Sequence, residues 1–291
     1  MRTLLIFCAA TFLLLSSFNT RKKIKPKLPE EFARVPGGTF SFGYPDSAKR
    51  ISVMGFYMSK YEVSNLQYRQ FYNEASQGMT DEEKMKIICD TLGWRQVLGY
   101  CEPMINHYYQ HPAYNNYPVV NISYEGALKY CEWLQQKLQN DNPGFEIIVR
   151  LPEKYEWIWA AQGGLSQAMF PWRNYYLRNK KGEPMCNFNK VNDGAIYRDR
   201  TTGKPKVAEG VGEYSRPVLY TAKVKSFYPN DYGLYNMCGN AAEMINEKGT
   251  AMGGSWNDYG GNVQIRAEAK YERALPTVGF RPVILIKEKR N

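Results

Sequence analysis

The chain has 291 residues, with 38 Lys and Arg against 28 Asp and Glu, a formal net charge of +10. Its length suits one large domain or two small ones. A composition 44% hydrophobic and 14% aromatic excludes wholesale disorder, and 24 Gly with 16 Pro are too few for a collagen-like or low-complexity chain.

The charge is uneven. Arg2, Arg21, Lys22, Lys23, Lys25 and Lys27 stand in residues 1–28 without an acid, so this stretch carries +6 and the rest only +4. Between the basic ends runs the apolar stretch Leu4 to Phe18, broken only by Thr11, Ser16 and Ser17. This pattern reads as a secretory signal over 1–20. As a helix the run spans roughly 22 Å, short of a hydrocarbon core of about 30 Å. An uncleaved anchor is the alternative. Cys8 comes too early in the run to be a lipoprotein cysteine. Residues 21–31 read as a basic linker, and 32–291 as the folded domain. The cluster at 21–27 has no interleaved aromatics, so it reads as a solvated arm and not as a nucleic-acid site.

Within the domain, the alternating aromatics and glycines of 32–43 predict short strands and tight turns. Ile51–Tyr61 is a further strand-like run. Ser64 is placed to cap a helix with Leu66, Tyr68, Phe71 and Tyr72 on and near one face. Thr80-Asp-Glu-Glu83 is a capping box for a second helix reaching about Asp90. Residues 93–121, rich in Tyr, Asn, His and Pro, predict an irregular loop. Ser123 caps a third helix, with Ala127, Leu128, Cys131, Leu134 and Leu138 at helical spacing. Pro152 opens a short helix and Gly163-Gly164 ends it, with Trp157 and Trp159 as core candidates. From 165 onward periodicity fades, and 173–222 predicts ordered loop.

Beyond the signal stand five cysteines, Cys89, Cys101, Cys131, Cys186 and Cys238, an odd number with no CxxC. Cys89 and Cys101 are close enough in sequence to bridge. Cys131 lies on the buried side of its helix, as a small hydrophobe would. The only histidines, His107 and His111, have the i, i+4 spacing of a metal pair, but Pro112 biases His111 away from helix and no third ligand is near. Two histidines also make a His-based hydrolase a poor fit, and neither a P-loop nor GxGxxG is present.

The segment 230–243 concentrates oxygen donors. Asn236 and Glu243 supply side-chain oxygens, and Gly239 permits a sharp turn that turns carbonyls inward. Calcium takes 6–8 such oxygens. A tight Gly turn with a hydrogen-bonded Asn explains the same residues.

Taken together, Phe32–Gly43, Tyr57–Phe71, Tyr117–Ser123, Arg150–Trp157, Gly233–Asn240, Gly253-Gly-Ser-Trp256 and Gly279-Phe-Arg281 resemble the formylglycine-generating-enzyme (sulfatase-modifying factor) domain family, in family order over about 32–287. The resemblance implies an α+β, C-type-lectin-like fold with little regular secondary structure. It implies calcium ligation by the side chains of Asn236 and Glu243 and the backbone of Gly239 and Ala241. A second family calcium site would use an Asn near Asn187 and an Asp further on, whose position falls near Ser215 or Arg216 here. The family's aerobic enzyme binds copper through two cysteines; counted from Trp256, those positions are Asp258 and Val263. Neither supplies the thiolate that selects Cu(I). The resemblance therefore implies a non-catalytic pseudoenzyme, without copper. The family partner of Cys131 falls at Pro282, and two histidines cannot build the iron site of the ergothioneine-type relatives.

Asp90–Arg95, Glu102-Pro-Met104 and His111–Val120 further resemble an insertion of the gliding-motility and type IX secretion lipoproteins K and J of Bacteroidetes. That resemblance implies a structural, protein-binding component of an envelope secretion or motility complex. The chain would be exported to the periplasm or outer membrane, meeting the membrane through partners or an uncleaved N-terminus. Two alternatives stay open: an enzyme of another kind, with a cleft at Ser255, Trp256, Asp258 and Arg266, and a glycan-binding module using exposed aromatics.

Overall fold

A computed structural model describes residues 25–43, 48–190, 196–203, 205–207 and 220–289. The signal at 1–20, most of the basic arm and the Ser215/Arg216 position lie outside the described residues. Among the described residues four α-helices pack beside two four-stranded sheets and two hairpins, giving the expected α+β class with short elements and long connections.

The first sheet has the order β1-β4-β12-β5, from Phe32–Val35, Phe56–Ser59, Val283–Glu288 and Phe145–Arg150, all antiparallel. Its two ends of chain meet at the centre, where Val283 stands opposite both Met58 and Arg150. Neither β5 nor β12 is among the elements expected from sequence. Both are β-branched runs, Phe-Glu-Ile-Ile-Val-Arg and Val-Ile-Leu-Ile-Lys-Glu, of the kind that fits a pleated, half-buried surface. The strand-like run at 51–61 divides in two: β3 (Lys49–Val53) pairs with β2 (Gly38–Phe42) as a hairpin, and Gly55 turns the chain into β4.

The helices follow their caps. α1 (Asn65–Ala75) opens with Ser64 accepting from the Gln67 N–H and Gln67 bonding back to Ser64. Tyr68 and Phe71 are buried, while Leu66 is exposed. α2 (Asp81–Ile87) has the reciprocal Thr80–Glu83 box and stops three residues earlier than expected. α3 (Tyr124–Asp141) is capped by Ser123 and buries Ala127, Cys131 and Leu138. α4 (Lys154–Gln162) is capped by Glu153, so Pro152 sits just before the cap instead of inside the first turn. Gly163 ends it at φ +58. The loop at 91–114 is built of single turns: 3-10 turns at Thr91–Gln96 and Pro112–Tyr114 flank a π-helical turn at Met104–Tyr108.

The second sheet, in the order β10-β9-β8-β11, positions the site. It comprises Glu268–Lys270, Thr250–Met252, Ala242–Met244 and Val278–Gly279. β8 and β9 are buried throughout. β8 pairs in parallel with β11, setting Gly279 beside Glu243. Strands buried on both faces normally read as apolar runs, so the acid at the middle of β8 needs a partner.

Five cysteines, Cys89, Cys101, Cys131, Cys186 and Cys238, are free and buried. The Cys89–Cys101 bridge considered from sequence spacing is therefore not formed. The Cys89 thiol instead reaches the Val120 carbonyl at 3.3 Å. Burial pushes the Cys89, Cys131, Cys186 and Cys238 thiols far up, so each stays a neutral small hydrophobe. Among the described residues no helix is long and apolar enough to cross a membrane.

Candidate functional site

The turn between Leu234 and β8 sets the geometry. Asn236 and Asn240 both take left-handed backbone, at φ +52 and +63, a region that Asn tolerates better than most residues. Gly239 is at φ +72, and a Cβ there would stand 2.2 Å from the Asn187 carbonyl oxygen. Only glycine fits such an approach. The segment is locked by Gly239 N–H donating to Gly253 O and Asn240 N–H donating to Asn187 O.

Two buried carboxylates lie against this turn, with different surroundings. Glu243 is held by Arg281, whose Nε and Nη2 donate at 2.6 and 2.5 Å, and by Trp157 Nε1 at 2.7 Å. The remaining Arg281 N–H groups reach Ser59, Lys60 and Tyr235 carbonyls, so its whole donor set is used. Glu62, from the loop between β4 and α1, is fully buried and makes no ion pair among the described residues. Among the described residues its oxygens accept from two amides, Asn236 Nδ2 at 3.0 Å and Asn240 Nδ2 at 2.7 Å. Burial raises its pKa to about 7, with Arg281 and the two amides pulling it back and Glu243 pushing it further up.

The residues expected to hold calcium are thus partly separated. Asn236, Gly239 and Ala241 share the turn, but Glu243 points its carboxylate at Arg281 and Trp157. The Asn236 amide turns to Glu62 and to the Lys223 and Val224 carbonyls. Asn236 Oδ1 is buried with no hydrogen-bond partner, and so is Asn187 Oδ1. An orphaned buried oxygen is costly unless something binds it, and oxygens of this kind fit a calcium ion. Among the described residues no group of three His, Cys, Asp or Glu side chains could hold a metal. His107 and His111 are 5.9 Å apart by ring centroid, and His111 Nδ1 accepts the Ala113 N–H as a cap.

Glu62 and Arg281 are the members of this cluster that sequence reasoning did not single out as site residues. Arg281 stood in a recognised motif. Glu62 stood in the Tyr57–Phe71 motif, as an acid set between Tyr61 and Val63 two residues before a helix cap.

On the other side of β9 lies a polar surface pocket of about 480 Å³, lined in part by Asp258, Gln264, Arg266 and Glu268. Asp258 and Arg266 come together here as expected, but Ser255 and Trp256 are fully buried. The Asp258 carboxylate turns back to accept from Ser255 N–H at 2.8 Å and Ser255 Oγ at 2.6 Å. Trp256 donates to the Pro276 carbonyl at 3.0 Å and packs against Trp94. Val263 is also fully buried, in a cluster with Cys186 and Phe188. The ring of Phe42 lies under both Arg266 and Lys154.

A family model for the sulfatase-modifying factor enzyme 1-like domain matches residues 18–286. The chain belongs to this family. This sulfatase-modifying factor family member is 28% identical over 252 residues to a mouse protein named formylglycine-generating enzyme, covering 77% of this chain and 59% of that one. It therefore spans about three fifths of that relative's length. It is 24% identical over 246 residues to the bovine protein named inactive C-alpha-formylglycine-generating enzyme 2, covering 72% and 68%. The family thus includes members named as active and members named as inactive. Among solved structures the fold resembles PvdO from Pseudomonas aeruginosa, with a TM-score of 0.57 at 18% identity over 87% of this chain and 93% of that one.

Proposed function

We propose that this family member is non-catalytic, and serves as a structural or protein-binding component of the type IX secretion and gliding-motility machinery in the cell envelope. The observation that carries the first half is the state of Asp258 and Val263. At the positions where the resemblance puts copper thiolates, one side chain is an acid folded onto Ser255 and the other is a valine inside the core. Hard carboxylate and hydrocarbon do not replace a soft thiolate. The five described cysteines are buried too, so none stands at the pocket surface.

Support for the second half comes from the insertion that resembles lipoproteins K and J. On and beside it Met85, Ile88, Leu92 and Tyr100 are half or more exposed. Large apolar side chains left in water on one segment suit a protein partner. Export by the N-terminal signal would place the domain in the periplasm or at the outer membrane. Recovery of the tagged protein from its native host, with its neighbours, tests this reading. A structural calcium in the Asn236–Glu243 segment belongs to it, and chelation should lower the melting temperature.

The pocket of Asp258, Gln264, Arg266 and Glu268 favours one second reading, an activity on a small polar substrate. Both charge signs line it. Arg266→Ala would abolish a cellular phenotype while leaving partner recovery intact if that reading holds.

A further inference from the structure

The loop that follows α4, residues 165–175, curls around a surface pocket of about 270 Å³ that shares no lining residue with the pocket of Asp258 and Arg266. Leu165, Met169 and Trp172 give it an apolar wall, and Arg173, Asn174 and Tyr175 a polar rim. Sites for drug-sized ligands run roughly 300–1,000 Å³, so this one takes a small molecule or one unit of a chain.

The aromatic wall is fixed in place. The Trp172 ring stacks on the buried Phe170 at 5.0 Å and 3°. Its Nε1 donates to the Tyr176 carbonyl at 2.8 Å, so the indole cannot turn freely. The Ile265 N–H donates to the Met169 carbonyl at 2.9 Å and pins the loop to the buried core. Tyr175, by contrast, is 77% exposed, a large ring left in water beside a rigid one.

The rim is polar without being charged overall. Asn174 Oδ1 accepts the Tyr176 N–H at 2.9 Å, which leaves the two Nδ2 donors for a ligand. Arg173 is the one charged residue of the lining, and it is ion-paired to Asp231 at 2.6 Å. The pair offers donors and acceptors side by side. A phosphate or carboxylate ligand would have to compete with Asp231 for the guanidinium. A sugar would not. Its hydroxyls both donate and accept, and its C–H face carries the weak positive charge that the negative face of an aromatic ring attracts.

We propose that the 165–175 loop binds an uncharged sugar unit of a glycan, stacked against Trp172 and Tyr175 and hydrogen-bonded by Asn174 and the Arg173–Asp231 pair. This site is independent of the secretion reading and needs no catalysis.

The test is a glycan array probed with the full chain, then calorimetry with the best-bound oligosaccharide in free form. Neutral hexose or N-acetylhexosamine chains should be retained in preference to sialylated, sulfated or uronic-acid chains. Trp172 also packs the core, so the variants are at the exposed rim. Tyr175→Ala removes a ring, and Asn174→Asp keeps the acceptor for Tyr176 while removing the donors. Each should melt like wild type and bind about 3–10-fold more weakly, the size of one aromatic contact or one hydrogen bond lost. Tyr197→Ala, a half-exposed tyrosine on the hairpin of Ile196–Arg198 and Pro205–Val207, should bind like wild type. No retention of any neutral glycan, a preference for acidic chains, or wild-type affinity in both rim variants would overturn the assignment, and each would leave the secretion reading standing.

Discussion

Glu243 and Arg281 meet side on, two carboxylate oxygens against two guanidinium nitrogens at 2.5 and 2.6 Å, with neither side chain more than 1% exposed. The pair ties β8 to the residues that follow β11, and through Ser59 and Lys60 it also touches the end of β4. It therefore clasps both sheets. Breaking a buried pair by removing one partner leaves an unpaired charge, costing about 3–5 kcal/mol. Arg281→Met should lower stability by about that amount in urea unfolding. Arg281→Lys should not rescue it, because an ammonium lacks the fork that reaches Glu243, Ser59 and Tyr235 together.

Glu62 gives a pH dependence of opposite sign to the usual carboxylate. Its folded pKa of about 7 lies above the ordinary 4.5. The folded state holds the proton more tightly than the unfolded one. The stability contributed is therefore fully present below pH 4.5 and is lost as pH rises through 7. The loss across that window is about 3 kcal/mol. Calcium-free wild type should show this decline in urea unfolding on either side of the window, and E62Q should flatten it.

Gly239 offers a backbone test. Gly239→Ala places a methyl against the Asn187 carbonyl in a left-handed conformation. The expected loss exceeds about 1 kcal/mol, the upper end of what Gly-to-Ala gains at compatible sites. Gly99→Ala, at an exposed position with open space around it, should change stability by less than about 0.5 kcal/mol. Thermal melting of the two variants checks the contrast.

The cysteines give a chemical test. Burial keeps Cys89, Cys131, Cys186 and Cys238 as neutral thiols, and Cys101 is 2% exposed. The thiolate is the reactive form. All five should resist maleimide in the native protein and react after denaturation, read by intact mass. Fast labelling of the native chain would count against the packing described.

Much of this was readable where the determinant is local. The Ser64–Gln67 and Thr80–Glu83 boxes lie within four residues of chain, and both helices start where those boxes put them. The first sheet was harder, because β5 and β12 meet across more than 130 residues and nothing local marks Val283 as the neighbour of both Met58 and Arg150. The site was half legible. Asn236, Gly239, Ala241 and Glu243 stand close in sequence, and the turn gathers the first three. Glu62 belongs with Asn236 and Asn240 only through contacts 174 and 178 residues away. A lone acid before a helix cap is more often solvated, so its burial could not be read from its neighbours.

The exposed apolar residues test the protein-binding half of the account. Met85 and Leu92 are exposed by 76% and 54%, so Met85→Glu with Leu92→Glu should change stability by no more than about 0.5 kcal/mol each. The double variant should lose its partners in recovery experiments while melting like wild type.

The central claim is tested most directly by cross-linking intact native cells that carry the tagged chain, followed by purification and mass spectrometry. Type IX secretion or gliding-motility components should be enriched over an untagged control. Recovery of the chain alone, with no such component above background, would contradict it.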